Sequence, residues 1–143
     1  MKLDVEHFER CINTIEKAHE LLKQTDKSEI YFDLYRSACV KEFELILEQS
    51  GKLLRKILKP YFDSTLAVDR LTFKDVFRNA VLRGIISDTE CERWLKYRDV
   101  RNSSAHDYGA NFAEEIVTIL ESFIQDAKSI VGSVQKENNR DVD

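Results

Sequence analysis

Apolar residues recur along this chain at three- and four-residue steps, the period of helices that bury one face. Val5, Phe8, Ile12, Ile15 and Leu22 mark a first helix from about Leu3 to Gln24, and Lys23 suits the negative end of its dipole. Thr25-Asp26-Lys27-Ser28 reads as the connection to a long second helix, from about Glu29 to Lys59. Phe43, Ile46, Leu47, Leu53, Leu54, Ile57 and Leu58 give that helix an apolar face too broad for one seam, which predicts several neighbours. Pro60 ends it, because the residue before a proline is pushed out of the helical region.

Thr72 is placed to cap a short third helix, with Phe73, Val76, Phe77, Ala80 and Val81 inward and Gly84 as its stop. Ser87-x-x-Glu90 fits a capping box at the start of a fourth helix, whose apolar side carries Trp94, Leu95 and Val100. Gly109 interrupts the pattern, and a fifth helix follows from about Asn111 to Val134. The expected fold is all-α, an antiparallel up-and-down bundle of about five helices. It forms a single domain over residues 1–134, with a frayed polar tail over 135–143.

Composition agrees with that pattern. Only four Gly and one Pro occur, few enough to favour long helices over a turn-rich sheet fold. No apolar run is long enough to cross a bilayer, and the first residues, Met1-Lys2-Leu3-Asp4-Val5-Glu6, lack the apolar stretch of an export signal. Cys11, Cys39 and Cys91 are odd in number and show no ligand spacing, as expected of reduced thiols in a cytoplasmic protein. A net charge of −4 argues against non-specific coating of nucleic acid. Between Arg70 and Arg101, however, eight basic residues stand against five acidic ones. That local excess suits either a solvated pair of helix faces or a basic site.

Candidate chemistry is concentrated in Arg101-Asn102-Ser103-Ser104-Ala105-His106-Asp107-Tyr108. Imidazole titrates near neutrality and can move a proton from a ribose hydroxyl, while guanidinium holds phosphate through paired hydrogen bonds. Arg101 and His106 are five residues apart, which leaves them about 140° apart on a continuous helix. Either the helix ends or distorts here, or the site is assembled across a dimer. Asn102 and His106 share a face, as do Arg101 and Tyr108. The same residues, beside Asp99 and Asp107, also suit caps and surface ion pairs.

On the second helix Glu44, Glu48 and Lys52 fall four apart in one stripe, the spacing of an exposed ion-pair ladder. His7 and His19 have no ligand partners nearby in sequence, and neither an HExxH nor a Glu-x-x-His pair occurs, so no metal site is expected. No phosphate loop or other cofactor motif occurs, so no cofactor is expected either.

Arg101-Asn102-x-x-x-His106-x-Tyr108 resembles the Arg-x4–6-His signature of HEPN domains, in the Arg-x4-His-x-Tyr form of HepT-type toxins and the related nucleotidyltransferase substrate-binding subunits. The likeness extends to Phe43-Glu44-x-x-x-Glu48-x-x-x-Lys52-x-Leu54, the stretch from Phe73 through Ala80, Gly84-Ile85-Ile86, Trp94 and Arg98-Asp99. The resemblance implies a bundle that forms a homodimer with the motif near its interface. It further implies a metal-independent endoribonuclease, with RNA as substrate, Arg101 on phosphate, His106 as acid and base and Asn102 as an orienting group. A small MntA-like nucleotidyltransferase would neutralise this toxin by attaching AMP to Tyr108. In the alternative reading, the chain is a non-catalytic substrate-binding subunit whose cleft holds a nucleotide or presents Tyr108. Ser103-Ser104-Ala105 departs from the residues usual before the family's His.

Overall fold

The computed structural model describes residues 2–103 and 110–140. Among them are six α-helices and no strand: α1 Glu6–Lys23, α2 Ile30–Leu58, α3 Thr65–Asp69, α4 Phe73–Leu82, α5 Asp88–Ser103 and α6 Ala110–Arg140. A 3₁₀ turn, Lys59–Tyr61, separates α2 from α3. The expected all-α bundle is what forms, with one short helix more than the hydrophobic pattern announced.

Helices α1, α2 and α6 make the main body. Both α2 and α6 run antiparallel to α1, α2 through the short connection after Lys23 and α6 through the pairs Leu3–Asn138 and Glu16–Lys128. Helices α4 and α5 pack on α2 and on each other. The broad apolar face of α2 is used as predicted: Phe43, Ile46, Leu47, Leu54 and Leu58 are all fully or almost fully buried.

The centre of the core is aromatic. Trp94 of α5 lies 5.4 Å from Phe77 of α4, 5.4 Å from Tyr97 and 5.5 Å from Phe123 of α6, measured between ring centroids. Phe123 continues the cluster to Phe43 of α2 at 4.7 Å. The Trp94–Tyr97 and Trp94–Phe123 pairs are edge-to-face, a geometry that adds to the stabilisation from burying the rings. One cluster therefore joins α2, α4, α5 and α6.

The helix ends follow the local chemistry read from the chain. The Thr72 hydroxyl accepts from the Asp75 amide at 3.1 Å. Ser87 and Glu90 form the reciprocal capping box, at 3.0 and 3.1 Å. Gly84 has φ +71°, and the bonds Gly84 N–H to Val81 O and Ile85 N–H to Ala80 O close α4 as a Schellman motif.

Two boundaries and one added helix differ from expectation. Leu3 lies outside α1, because its backbone is held instead by the Asn138 side chain. The Leu3 N–H donates to Asn138 Oδ1 at 2.7 Å, and Asn138 Nδ2 donates to the Leu3 carbonyl at 2.9 Å. That anchor accompanies a longer α6, which continues past Val134 to Arg140, so residues 135–140 are helical rather than frayed. The third difference is α3, five residues capped by Ser64, with Val68 as its buried residue. A single buried position gives no periodicity to read.

Cys11, Cys39 and Cys91 are free and buried on three different helices. Burial pushes the thiols of Cys11 and Cys39 up to about 11, with Glu42 adding to the effect at Cys11. All three thiols are therefore expected to stay silent toward a disulfide reagent such as DTNB at pH 8 and to react together on unfolding. Because the folded thiols titrate above the unfolded value of 9, the stability they contribute is intact below pH 9 and declines as pH rises toward 11. Urea unfolding across that range would measure the decline, and Cys39→Ser should flatten it.

Candidate functional site

Helix α5 delivers the motif, yet its sequence is poor in apolar residues, and Cys91, Trp94 and Tyr97 are its buried positions. Its remaining hold on α6 is polar. The Arg93 guanidinium forms a bidentate pair with Asp126, Nε to Oδ2 at 2.8 Å and Nη2 to Oδ1 at 2.7 Å. The Tyr97 hydroxyl donates to Asp126 Oδ2 and is 2.9 Å from Ser122 Oγ. Asp126 is 4% exposed, so this carboxylate is buried with its partners already in place. Its pairing with Arg93 raises an already high guanidinium pKa. Burial first, and then the bond to Asp126, push the Tyr97 phenol well above its ordinary value.

The α5–α6 contacts step along in an antiparallel register. Ile85 O accepts from Ser133, Glu90 from Ser129, Asp126 from Arg93, and Ser122 lies against Tyr97. Continued by one turn, the register sets Arg101 level with the turn of α6 around Thr118. Arg93, Tyr97 and Arg101 are four apart, so each is rotated by only about 40° from the last. The clasp on Asp126 thus sits one turn before Arg101 and toward the same side of α5.

Arg101 and Asn102 are both exposed in the last turn of α5. They sit one position apart on the helix and so point about 100° from each other. His106 and Tyr108 lie outside the described residues, as do Ser104, Ala105, Asp107 and Gly109. The structure therefore fixes where the motif starts and leaves the five-residue separation of Arg101 and His106 as read from sequence.

The second constellation proves to be a surface feature. Lys52 and Glu48 are paired at 3.1 Å with both side chains more than half exposed, an interaction worth a few tenths of a kcal/mol. Among the described residues no group of three His, Cys, Asp or Glu side chains is arranged to hold a metal ion. His7 touches Cys11 Sγ at 3.8 Å, and His19 lies between α1 and α6, where burial lowers its pKa. Among the described residues no helix is long and apolar enough to cross a membrane.

Arg93, Tyr97, Ser122 and Asp126 were not legible as a group. The available signal was Asp126 itself, an acid at a core position between Phe123, Ala127 and Ile130, whose partner had to come from another helix.

A family model described as "Nucleotidyltransferase substrate binding protein like" matches residues 3–136. A Haemophilus influenzae protein named "Probable ribonuclease HepT" is 25% identical over 143 residues, covering 91% of this chain and 95% of the relative. Among solved structures, a Haemophilus influenzae protein described as revealing the fold of a substrate-binding domain of a nucleotidyltransferase superposes with a TM-score of 0.77 at 20% identity. That match covers 92% of this chain and 99% of the other. A Thermus thermophilus protein superposes with a TM-score of 0.61 at 24% identity, covering 84% of this chain and 98% of its own. At these identities the two structures establish the fold.

Removing the half-exposed Arg93 leaves the buried Asp126 carboxylate uncompensated, so Arg93→Ala is expected to cost about 3 kcal/mol in urea unfolding. Tyr97→Phe should cost about 1–2 kcal/mol. Tyr97 also has a pH signature. Its folded pKa lies above the unfolded value of 10, so its contribution is complete below pH 10 and is lost as pH rises beyond it. Tyr97→Phe should therefore weaken the fall in stability above pH 10, and an unchanged alkaline slope would count against the clasp.

Proposed function

This chain belongs to the family of nucleotidyltransferase substrate-binding, HepT-like proteins, and on that premise we propose that it is a metal-independent endoribonuclease restrained by a nucleotidyltransferase partner. The observation that carries the reading is the position of Arg101 and Asn102. Both are exposed in the last turn of a helix tied to α6 through a buried carboxylate, immediately before the residues that complete the motif. The full-length similarity to a relative named as a ribonuclease supports the same reading.

In the proposed reaction, Arg101 holds the scissile phosphodiester through its guanidinium and Asn102 orients it. His106 removes the proton from the ribose 2′-hydroxyl, and the freed oxygen bonds to the adjacent phosphorus. The bond from phosphorus to the 5′-oxygen breaks, and that oxygen leaves with a proton returned by an imidazolium. The products are a 2′,3′-cyclic phosphate and a 5′-hydroxyl, with no metal required. Two chains, each contributing Arg101 and His106 to one composite cleft, would remove the 140° difficulty of a single helix, so the proposed active form is a homodimer.

Regulation follows from the phenol in the motif. The Tyr108 oxygen attacks the α-phosphorus of ATP bound by the partner, and pyrophosphate leaves. The AMP that remains places a negative phosphodiester where RNA phosphate must bind. The family's own description favours a second reading, in which the chain only presents a nucleotide or Tyr108 to the partner and cuts nothing.

The test is cleavage of a mixed tRNA pool in EDTA by protein whose intact mass excludes an AMP adduct. His106→Ala and Arg101→Ala should each lower the rate by about 10²–10⁴-fold while leaving the thermal melt unchanged. Wild-type rates in both variants would exclude the assigned roles. No cleavage by the unmodified dimer would select the binding-subunit reading. Incubation with the partner enzyme and ATP should add one AMP to wild-type protein and none to Tyr108→Phe.

A further inference from the structure

Two further arginines, Arg55 and Arg98, are gathered around one aromatic ring, and among the described residues neither is paired with a buried carboxylate. Phe73, the first residue of α4, is the shared landmark. The Arg98 guanidinium of α5 is 5.6 Å from the Phe73 ring centroid. On α2, a Cβ placed on Gly51 would meet the Phe73 ring at 3.7 Å and Arg55 Nη1 at 3.8 Å, so Arg55 and Phe73 converge over that glycine. Arg55 is held in place by donating Nη2 to the Leu71 carbonyl at 2.7 Å.

Both guanidinium groups are short of acceptors. The Nε atoms of Arg55 and Arg98 are buried without a hydrogen-bond partner among the described residues. No carboxylate there pairs with Arg55, and Arg98 reaches only Asp99, at 3.5 Å, whose side chain is 70% exposed. Each guanidinium has five N–H groups in a rigid fork; the Leu71 carbonyl occupies one of Arg55's, the Nε–H of each is buried, and the Nη groups are the ones left to meet an anion. Two like charges anchored around one ring repel each other, and an anion placed between their outer edges would offset that repulsion. Their fixed positions also reduce the ordering cost of binding. Arg101 lies three residues beyond Arg98, about 4.5 Å along the helix and about 60° around it.

We propose that Arg55 and Arg98 form a phosphate clamp that holds a backbone phosphate of RNA next to the one engaged at Arg101. The clamp rests on the RNA reading above, but its task is binding, not chemistry. It gives the chain a track of guanidinium groups from α2 across α4 to the end of α5, on a molecule whose net charge is −4.

The probe is a short, fluorescent 2′-O-methyl RNA, which cannot be cut, titrated by anisotropy at several salt concentrations. Arg98→Gln and Arg55→Gln should each weaken binding about tenfold and reduce the slope of log affinity against log salt by about 0.7, the loss of one phosphate contact on a single strand. Arg98→Lys should restore the salt slope without the full affinity, since an ammonium keeps the charge and loses the fork. Lys128→Gln, whose lysine pairs with Glu16 between α1 and α6, should change neither. Thermal melts identify any variant that fails to fold, and Arg98→Gln carries the test if Arg55→Gln does so. Unchanged affinity and slope in folded Arg98→Gln, or no binding by wild-type protein, overturns the clamp. Binding that depends on Arg98 without cleavage of natural RNA would sink the nuclease reading and leave the clamp standing.

Discussion

A carboxylate buried on α6 is the constraint around which the functional end of this molecule is arranged. Asp126 occupies a core position and is stable there only because Arg93 meets it with two hydrogen bonds and Tyr97 with a third. Apolar burial alone would hold α5 loosely, since Cys91, Trp94 and Tyr97 are all it buries. Hydrophobic packing is tolerant of a helix sliding or rotating by a fraction of a turn, whereas a bidentate guanidinium–carboxylate pair is not. The result is a helix whose middle is both packed by Trp94 and indexed by Asp126 through Arg93 and Tyr97 on either side of it, with Arg101 and Asn102 in the turn that follows.

Much of the architecture was legible because local and global signals agree. The apolar face of α2, the Thr72 cap, the Ser87–Glu90 box and the Gly84 stop each named their element from a few residues. What escaped was governed by partners distant in sequence. The extension of α6 accompanies Leu3 pairing with Asn138, and the clasp depends on Arg93 finding Asp126, and no periodicity encodes either. α3 escaped for the opposite reason, being too short to have a period. For the site, the pattern located Arg101 and Asn102 on the helix and exposed, as their residue types suggest. It counted Arg93 and Arg98 within a local basic excess, open to either a solvated face or a basic site, and did not single out Arg55, although the structure separates the environment of Arg93 from those of the other two.

Those environments divide labour among arginines. Arg93 is consumed by structure, since its fork is filled by Asp126. Arg83 lies over the Tyr61 ring at 4.7 Å, a contact that covers apolar surface. Arg55 and Arg98 are anchored but undersupplied with acceptors. A count of basic residues between Arg70 and Arg101 merges Arg83, Arg93 and Arg98 and leaves out Arg55, and only the partner of each guanidinium separates scaffold from binding surface.

The pairing of Leu3 with Asn138 has a consequence for how the molecule reports its own folding. The two residues are 135 positions apart, so their hydrogen bonds can form only once α1 and α6 are already packed along their length. An amide near a chain end ordinarily exchanges its proton freely with solvent. The Leu3 amide is instead a sensor of the assembled bundle. Its protection registers whether the first and last helices are in contact, at a site remote from the chemistry and untouched by any ligand that binds there.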